Sequence, residues 1–424
     1  MNNNAPFALS ATGARMNKLT GVRAIMKDIL ETLQTAGSKK FVNLSPGNPL
    51  ILPEVENLWR DLTHELLASK EYGQVVCRYG ASQGYEPLIE AIVTDFNKRY
   101  GLSLTNKNIL ITPGSQSLYF YASNAYGGRS NSGKMRNVVL PLCPDYTGYG
   151  GVSIDPHAVV SFRPEIEKND VTHRFKYRVS LDRLAIDENT GCVLFSRPCN
   201  PTGNVLTDAE VSEIARRAKA VNAPVFVDSA YGPPFPALNF TSMNLCFDEP
   251  IVHCMSASKA GLPGERIGMA VGNASVIEAL ECFQSNASIH SSRYGQAILA
   301  RAITSGKLAD ISTSVIRPFY QRKSELLQAT LDAEMPKSFP WYLHQGEGAI
   351  FAWLWLEGIS ITDLELYQKL KALGVLVVPG SPFFPGLKEE WKHSSECIRI
   401  SLTADDESLV KGLKILADVI GRGI

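Results

Sequence analysis

The chain has 424 residues, with 42 Lys plus Arg against 42 Asp plus Glu and a formal net charge of +0. That even balance argues against wholesale nucleic-acid binding and against attachment to an anionic membrane, and the length exceeds what one hydrophobic core usually serves. The eight cysteines are scattered, never as CxxC, so they read as buried free thiols and not as disulfides or metal ligands. The opening "MNNNAPFALSATGARM" lacks a signal-peptide core and no apolar run reaches membrane-spanning length, which points to the cytoplasm.

Residues 1–55 read as an arm that packs with a small domain: a helical stretch at 22–34 runs into "FVNLSPGNPLILP", where Pro and Gly end any helix. Helical patterns follow at 55–67 and in "EAIVTDFNKRYG". From residue 109 seven short apolar strands appear, at 109–112, 138–143, 158–162, 192–196, 224–229, 251–256 and 267–272. They are apolar on both faces, as parallel strands covered by helices are. The intervening 207–222 stretch keeps Val211, Ile214, Ala215 and Ala218 at helical spacing. This predicts a three-layer α/β/α large domain over 56–300, built on a mostly parallel seven-stranded sheet, with its binding crevice beyond the carboxyl ends of the strands. After a helical region at 293–335, apolar runs at 348–356, 375–380 and 397–402 alternate with helices near 362–373 and 406–420. These predict a smaller α+β domain over 301–424.

"GRSNSGKM" (128–135) imitates a nucleotide-binding P-loop, but Met135 stands where a magnesium-binding Ser or Thr is required. The polar residues at the strand ends carry more. "TPGSQS" offers free N–H groups at Ser115 and Gln116 to a phosphate, or simply a helix cap by Ser115. "PDYTGY" places Tyr146 where it could lie over a planar ligand or serve as a core tyrosine. Asn200 in "RPCNPTGN" could donate to a ligand oxygen or make an Asn-Pro turn. Asp228 emerges from an apolar strand, with Tyr231 three residues on, and a buried carboxylate must be paired. "SASKAGLPGERIG" (256–268) adds Ser256, Ser258 and Arg266 for a phosphate and Lys259 for a carbonyl. Together these parts describe a ligand with a phosphate, an aldehyde and a basic ring nitrogen: pyridoxal 5'-phosphate.

The motifs "NPTG" (200–203), "DSAY" (228–231) and the Lys259 loop resemble those of fold-type-I, pyridoxal-phosphate-dependent aminotransferases, the aspartate-aminotransferase-like fold, along nearly the whole chain. The loop is most similar to the valine–pyruvate (alanine–valine) branch, where Ala-Gly-Leu-Pro-Gly-Glu-Arg follows the lysine. The resemblance implies that Lys259 forms the Schiff base and shuttles the proton, and that Asp228 pairs with the ring nitrogen. It also implies that Tyr231 and Asn200 bind the ring hydroxyl, that Tyr146 stacks on the ring, and that Ser115, Gln116, Ser256, Ser258 and Arg266 hold the phosphate. Tyr79 would reach the phosphate of a neighbouring subunit, Arg399 would bind the substrate carboxylate, and the Gly47 backbone would line that side. Homodimers with shared active sites are implied as well.

The expected activity is amino transfer between L-valine or L-alanine and pyruvate or 2-oxoisovalerate, with no metal. Arg293 and Arg301 are the arginines that could supply a second carboxylate site, and the side-chain-reading residues are sought near Thr20, Gly21 and Tyr146. Alternatives are another neutral-amino-acid aminotransferase, a carbon–sulfur lyase of the same fold, or a non-catalytic ligand sensor. The zero net charge and the short stretch before the first helix argue against the sensor.

Overall fold

The computed structural model describes residues 7–17, 22–36 and 41–423. In chain order its strands are β1 (Val42–Asn43), β2 (Ile109–Pro113), β3 (Gly128–Arg129), β4 (Met135–Leu140), β5 (Val159–Ser161), β6 (Glu165–Asn169), β7 (Arg174–Arg178) and β8 (Thr190–Ser196). There follow β9 (Val225–Asp228), β10 (Ile251–Ser256), β11 (Ile267–Val271), β12 (Trp341–His344), β13 (Phe351–Leu356), β14 (Val375–Leu376), β15 (Val378–Pro379) and β16 (Cys397–Ser401).

All seven strands expected of the large domain lie in one sheet, ordered β2-β11-β10-β9-β8-β4-β3 with β5 beside β4. The two-residue β3 makes the eighth strand, pairing antiparallel with β4, and β11 runs antiparallel to both its neighbours. The others are parallel. Period-two alternation assigns each side chain a layer. Leu194, Phe226 and Val252 pack with Leu118, Ile277 and Leu280 of the helices Ser115–Tyr126 and Ala274–Ser288. Val193, Phe195, Val225 and Val227 pack with Val211, Ile214 and Ala218 of Asp208–Ala220. That last helix begins where Thr207 and Glu210 cap each other's backbone N–H groups. The P-loop imitation is the tip of the β3–β4 hairpin, closed by Ser130 N donating to Lys134 O at 2.8 Å.

A second sheet is ordered β15-β16-β13-β12-β7-β6. Two of its strands, β6 and β7, come from the middle of the chain, between β5 and β8 of the first sheet. Neither is an apolar run: charged Glu165, Glu167, Arg174, Lys176 and Arg178 alternate with Ile166, Phe175 and Tyr177, and the sequence reading assigned no strand there. The arm joins the C-terminal unit through β1, which pairs in parallel with β14, and through Asp28, which accepts from Tyr367 and Lys371. Among the described residues no helix is long and apolar enough to cross a membrane.

Candidate active site

Strands β8, β9 and β10 run parallel and end together, with Ser196 opposite Asp228 and Asp228 opposite Cys254. The loops leaving this edge therefore converge. They bring Gly114–Gln116, Asp145–Tyr149, Asn200, Asp228, Tyr231 and the Lys259 turn to one crevice, as the carboxyl ends of an α/β sheet generally do.

At one end lies an anion cradle. The helix Ser115–Tyr126 is not capped by Ser115: Gly114 is the N-cap, with φ +81°, and no side chain caps the helix. Its first N–H groups are therefore free for an anion. The Arg266 guanidinium packs so closely on Gly114 that a Cβ there would collide with it. Arg266 Nη1 donates to Ser258 Oγ (3.3 Å) and Pro263 O (3.2 Å), and Ser256 Oγ donates to Ser258 Oγ (2.9 Å). The cluster collects hydroxyls, N–H groups and a guanidinium without a carboxylate, which is the donor set a phosphate dianion needs.

In the middle, Asp228 is buried at the end of β9. Its Oδ2 accepts from Tyr149 Oη at 2.8 Å and its Oδ1 from Ala230 N at 3.0 Å. Burial pushes its carboxyl above the usual range, while its hydrogen bonds and the nearby Lys259 charge pull it back. A protonated ring nitrogen would hold it ionised. Tyr146 donates from Oη to Gln116 Oε1 at 3.1 Å and stands edge-on to Tyr149, ring centroids 5.3 Å apart. Behind both lies Asp145, 1% exposed, whose carboxyl is pushed by burial to about 7 against three hydrogen bonds from Ser196 and Tyr146.

Lys259 sits in the single 3-10 turn Ser258–Ala260 that follows β10. Its Nζ donates to Gly47 O at 2.6 Å and lies 5.6 Å from the centre of the Tyr231 ring. Burial, then the charges of Arg399 and Arg266, lower its pKa to about 8, with Asp228 opposing. The neutral, nucleophilic amine thus gains population as pH rises through that value. Carbonyl addition by the cofactor-free protein should accordingly rise with pH and reach half its plateau near pH 8. Stopped-flow absorbance with pyridoxal phosphate checks this; a profile flat from about pH 7 to 9.5 would contradict a lowered lysine.

At the far end, Arg399 projects from β16, 5% exposed. Its guanidinium carbon lies 4.0 Å from the Phe351 ring centre and 5.1 Å from that of Phe383. Nη1 donates to Asn200 Oδ1 at 3.0 Å and Nη2 to Ser45 O at 2.9 Å, while Nε is buried without a partner. No carboxylate pairs with it among the described residues, and burial lowers its pKa to about 10. A buried cation without a counter-ion is a ready site for a ligand carboxylate. Asn200 spends its Oδ1 on Arg399, which leaves its NH2 to donate elsewhere.

Of the residues assigned to the cofactor and the substrate carboxylate, the structure gathers all at this crevice except Tyr79, which is 84% exposed and meets His290 edge-on at 6.0 Å. Arg293 is engaged with the carbonyls of Gln74, Arg78 and Tyr79, and Arg301 with Glu71. Thr20 and Gly21 lie outside the described residues. Sequence reasoning missed Tyr149, Asp145, Phe351, Phe383 and Ser45. The first two stand in the quoted "PDYTGY" stretch and the residues just after it, an acid and a second aromatic at the same strand end whose roles residue type alone does not reveal.

The family model described as "Aminotransferase class I and II" matches residues 39–416. The chain is 36% identical to the valine–pyruvate aminotransferase of Escherichia coli (strain K12) over 416 residues, covering 98% of this chain and 99% of that protein. The crystal structure of an aminotransferase described as a putative amino-acid enzyme from Psychrobacter arcticum 273-4 superposes with a TM-score of 0.93 at 34% identity, covering 98% of this chain and 99% of that one. That of valine–pyruvate aminotransferase from Salmonella typhimurium LT2 gives 0.85 at 36% identity, covering 94% and 98%.

Proposed function

The chain belongs to the class I and II aminotransferases, pyridoxal-phosphate-dependent enzymes of fold type I, and from that premise we propose that it moves the amino group between L-valine or L-alanine and pyruvate or 2-oxoisovalerate. The observation that carries the substrate class is the state of three arginines. Arg399 alone of the three is buried with no acidic partner, whereas Arg293 and Arg301 are spent on backbone carbonyls and on Glu71. One carboxylate is catered for, and aromatic Phe351 and Phe383 flank it.

The residues divide the work by position. Pyridoxal phosphate, when bound, supplies an aldehyde for a Schiff base and a ring that accepts electron density from Cα. The uncapped Ser115–Tyr126 helix, with Gln116, Ser256, Ser258 and Arg266, grips the phosphate, and Asp228 keeps a proton on the ring nitrogen by Coulomb attraction. Tyr146 covers one face, and Tyr231 and the Asn200 NH2 take the ring hydroxyl. Arg399 fixes the substrate carboxylate through paired donors, aligning the Cα–H bond. Lys259, with its pKa near 8, removes the Cα proton and delivers it again as an ammonium acid. The enzyme works as a homodimer in the cytoplasm: the exposed Tyr79 ring is available to a second subunit, and eight unpaired thiols suit a reducing compartment.

Half-reactions with single amino acids test this reading. Valine and alanine should bleach the visible band of the lysine-bound cofactor at least about tenfold faster than aspartate, the scale of discrimination one misfitted polar group brings. Equal or inverted rates would refute the substrate class. Glutamate or aspartate in the lead would instead implicate Arg23 of the Val22–Ala36 helix, whose charge reaches Tyr146. Ammonia released from cystathionine without a 2-oxo acid would mark a lyase.

A further inference from the structure

We propose that Asp145 is a positioning residue that sets the Tyr146 face of the cofactor site and the Asn200–Arg399 carboxylate pocket in register through one carboxylate. The proposal rests on the cofactor reading above.

Asp145 is 1% exposed, and among the described residues no lysine, arginine or histidine forms an ion pair with it. An isolated buried carboxylate is costly unless its oxygens are fully occupied. Here they are. Oδ1 accepts from Tyr146 N at 2.6 Å and from the Ser196 hydroxyl, Oδ2 accepts from Ser196 N at 3.1 Å, and Cys199 Sγ lies 3.6 Å from Oδ1. The backbone of the same residue reaches the other sheet's territory, with Asp145 N donating to Phe383 O at 2.9 Å.

Each partner leads to a different part of the site. Tyr146 is the ring that faces the cofactor. Ser196 stands opposite Asp228, and the chain that leaves it reaches Asn200, whose Oδ1 holds Arg399. Phe383 is one of the two rings flanking Arg399. One residue therefore ties three segments that are remote in sequence and must agree in position for cofactor and substrate to meet. A mere loop anchor would need one or two of these bonds. The convergence of all of them on a carboxylate lacking a counter-ion is what the positioning role explains.

Asparagine at 145 cannot reproduce the arrangement, because its NH2 must point at the N–H of either Ser196 or Tyr146, donor against donor. The test begins with the wild-type apo-protein titrated with pyridoxal phosphate. Failure to bind saturably would sink the cofactor reading and this inference together. Given wild-type binding, a folded Asp145→Asn protein should bind the cofactor about tenfold more weakly and show about a tenfold higher KM for the amino donor, as expected when a buried donor loses its acceptor. The induced circular dichroism of the bound cofactor should also change, because Tyr146 no longer fixes the ring. A purely structural role would lower the melting temperature and leave affinity, dichroism and KM as in the wild type; that result overturns the proposal alone. If the variant does not fold, hydrogen exchange on the wild-type apo-protein decides. The amides of Asp145, Tyr146 and Ser196 should open as one unit, with protection within about tenfold of one another, and unrelated rates would refute the shared anchor.

Discussion

Replacing Lys259 with alanine is expected to abolish the visible absorption of the lysine-bound cofactor and to lower kcat by at least about ten-thousandfold, since one change removes both a covalent nucleophile and a general base. The two losses do not multiply, because both act through a single group. Absorption spectroscopy of the reconstituted variant and single-turnover assays with valine check the result. A surviving band with turnover within tenfold of the wild type would remove Lys259 from its role. The same change should leave the cofactor-free fold intact. Burial lowers the Lys259 pKa from 10.5 to about 8, so the folded state penalises its charge. That penalty is fully present below about pH 8 and fades as pH rises toward the unfolded value, so at neutral pH alanine relieves it. Thermal melting of the apo-variant at pH 7 should therefore be no lower than that of the wild type.

The second large effect belongs to Arg399. Its replacement by alanine should reduce kcat/KM roughly a thousandfold, in line with about 3–5 kcal/mol for removing one partner of a buried ion pair. Arginine to lysine keeps the charge but forfeits the paired donors, so Arg399→Lys should recover only part of the loss. The signature is its breadth. Amino acid and 2-oxo acid both present a carboxylate, so both half-reactions should fall together, while a simple primary amine lacking a carboxylate should react at an unchanged rate. A variant impaired toward that amine as well would show that Arg399 supports the site in another way.

Much of this was legible before any coordinates. Strands β8, β9 and β10 are buried at every position, and each ends in a polar residue. Doubly covered parallel strands thus announced themselves as apolar runs, and their ends announced the site. What stayed hidden was organised differently. β6 is largely exposed, and β7, buried at Phe175, Lys176 and Tyr177, carries a charge on its second face, since Lys176 is 3% exposed and engaged with Glu347 and Asn204. An apolar-run criterion passes over such a segment. Tyr149 and Phe351 escaped because their relevance lies in distance, not in residue type: a tyrosine beside a tyrosine reads as core until the Asp228 oxygen is seen 2.8 Å from its hydroxyl. Arg399 was read from its motif, but its lack of a counter-ion could be known only from the folded chain.

The mid-chain origin of β6 and β7 bears on how the polypeptide matures. β7 pairs with β12 through Leu343 opposite Arg174, so its neighbour is translated 169 positions later (343 minus 174). While the nascent chain leaves the ribosome, the first sheet can close as soon as residue 271 has emerged, yet the β6–β7 hairpin, which leaves the chain path between β5 and β8, must wait with its β7 edge open. An unpaired edge is a template for pairing with other chains. A terminated product ending near residue 300 would lack β12 and keep that edge unpaired, so prematurely released chains are expected to aggregate.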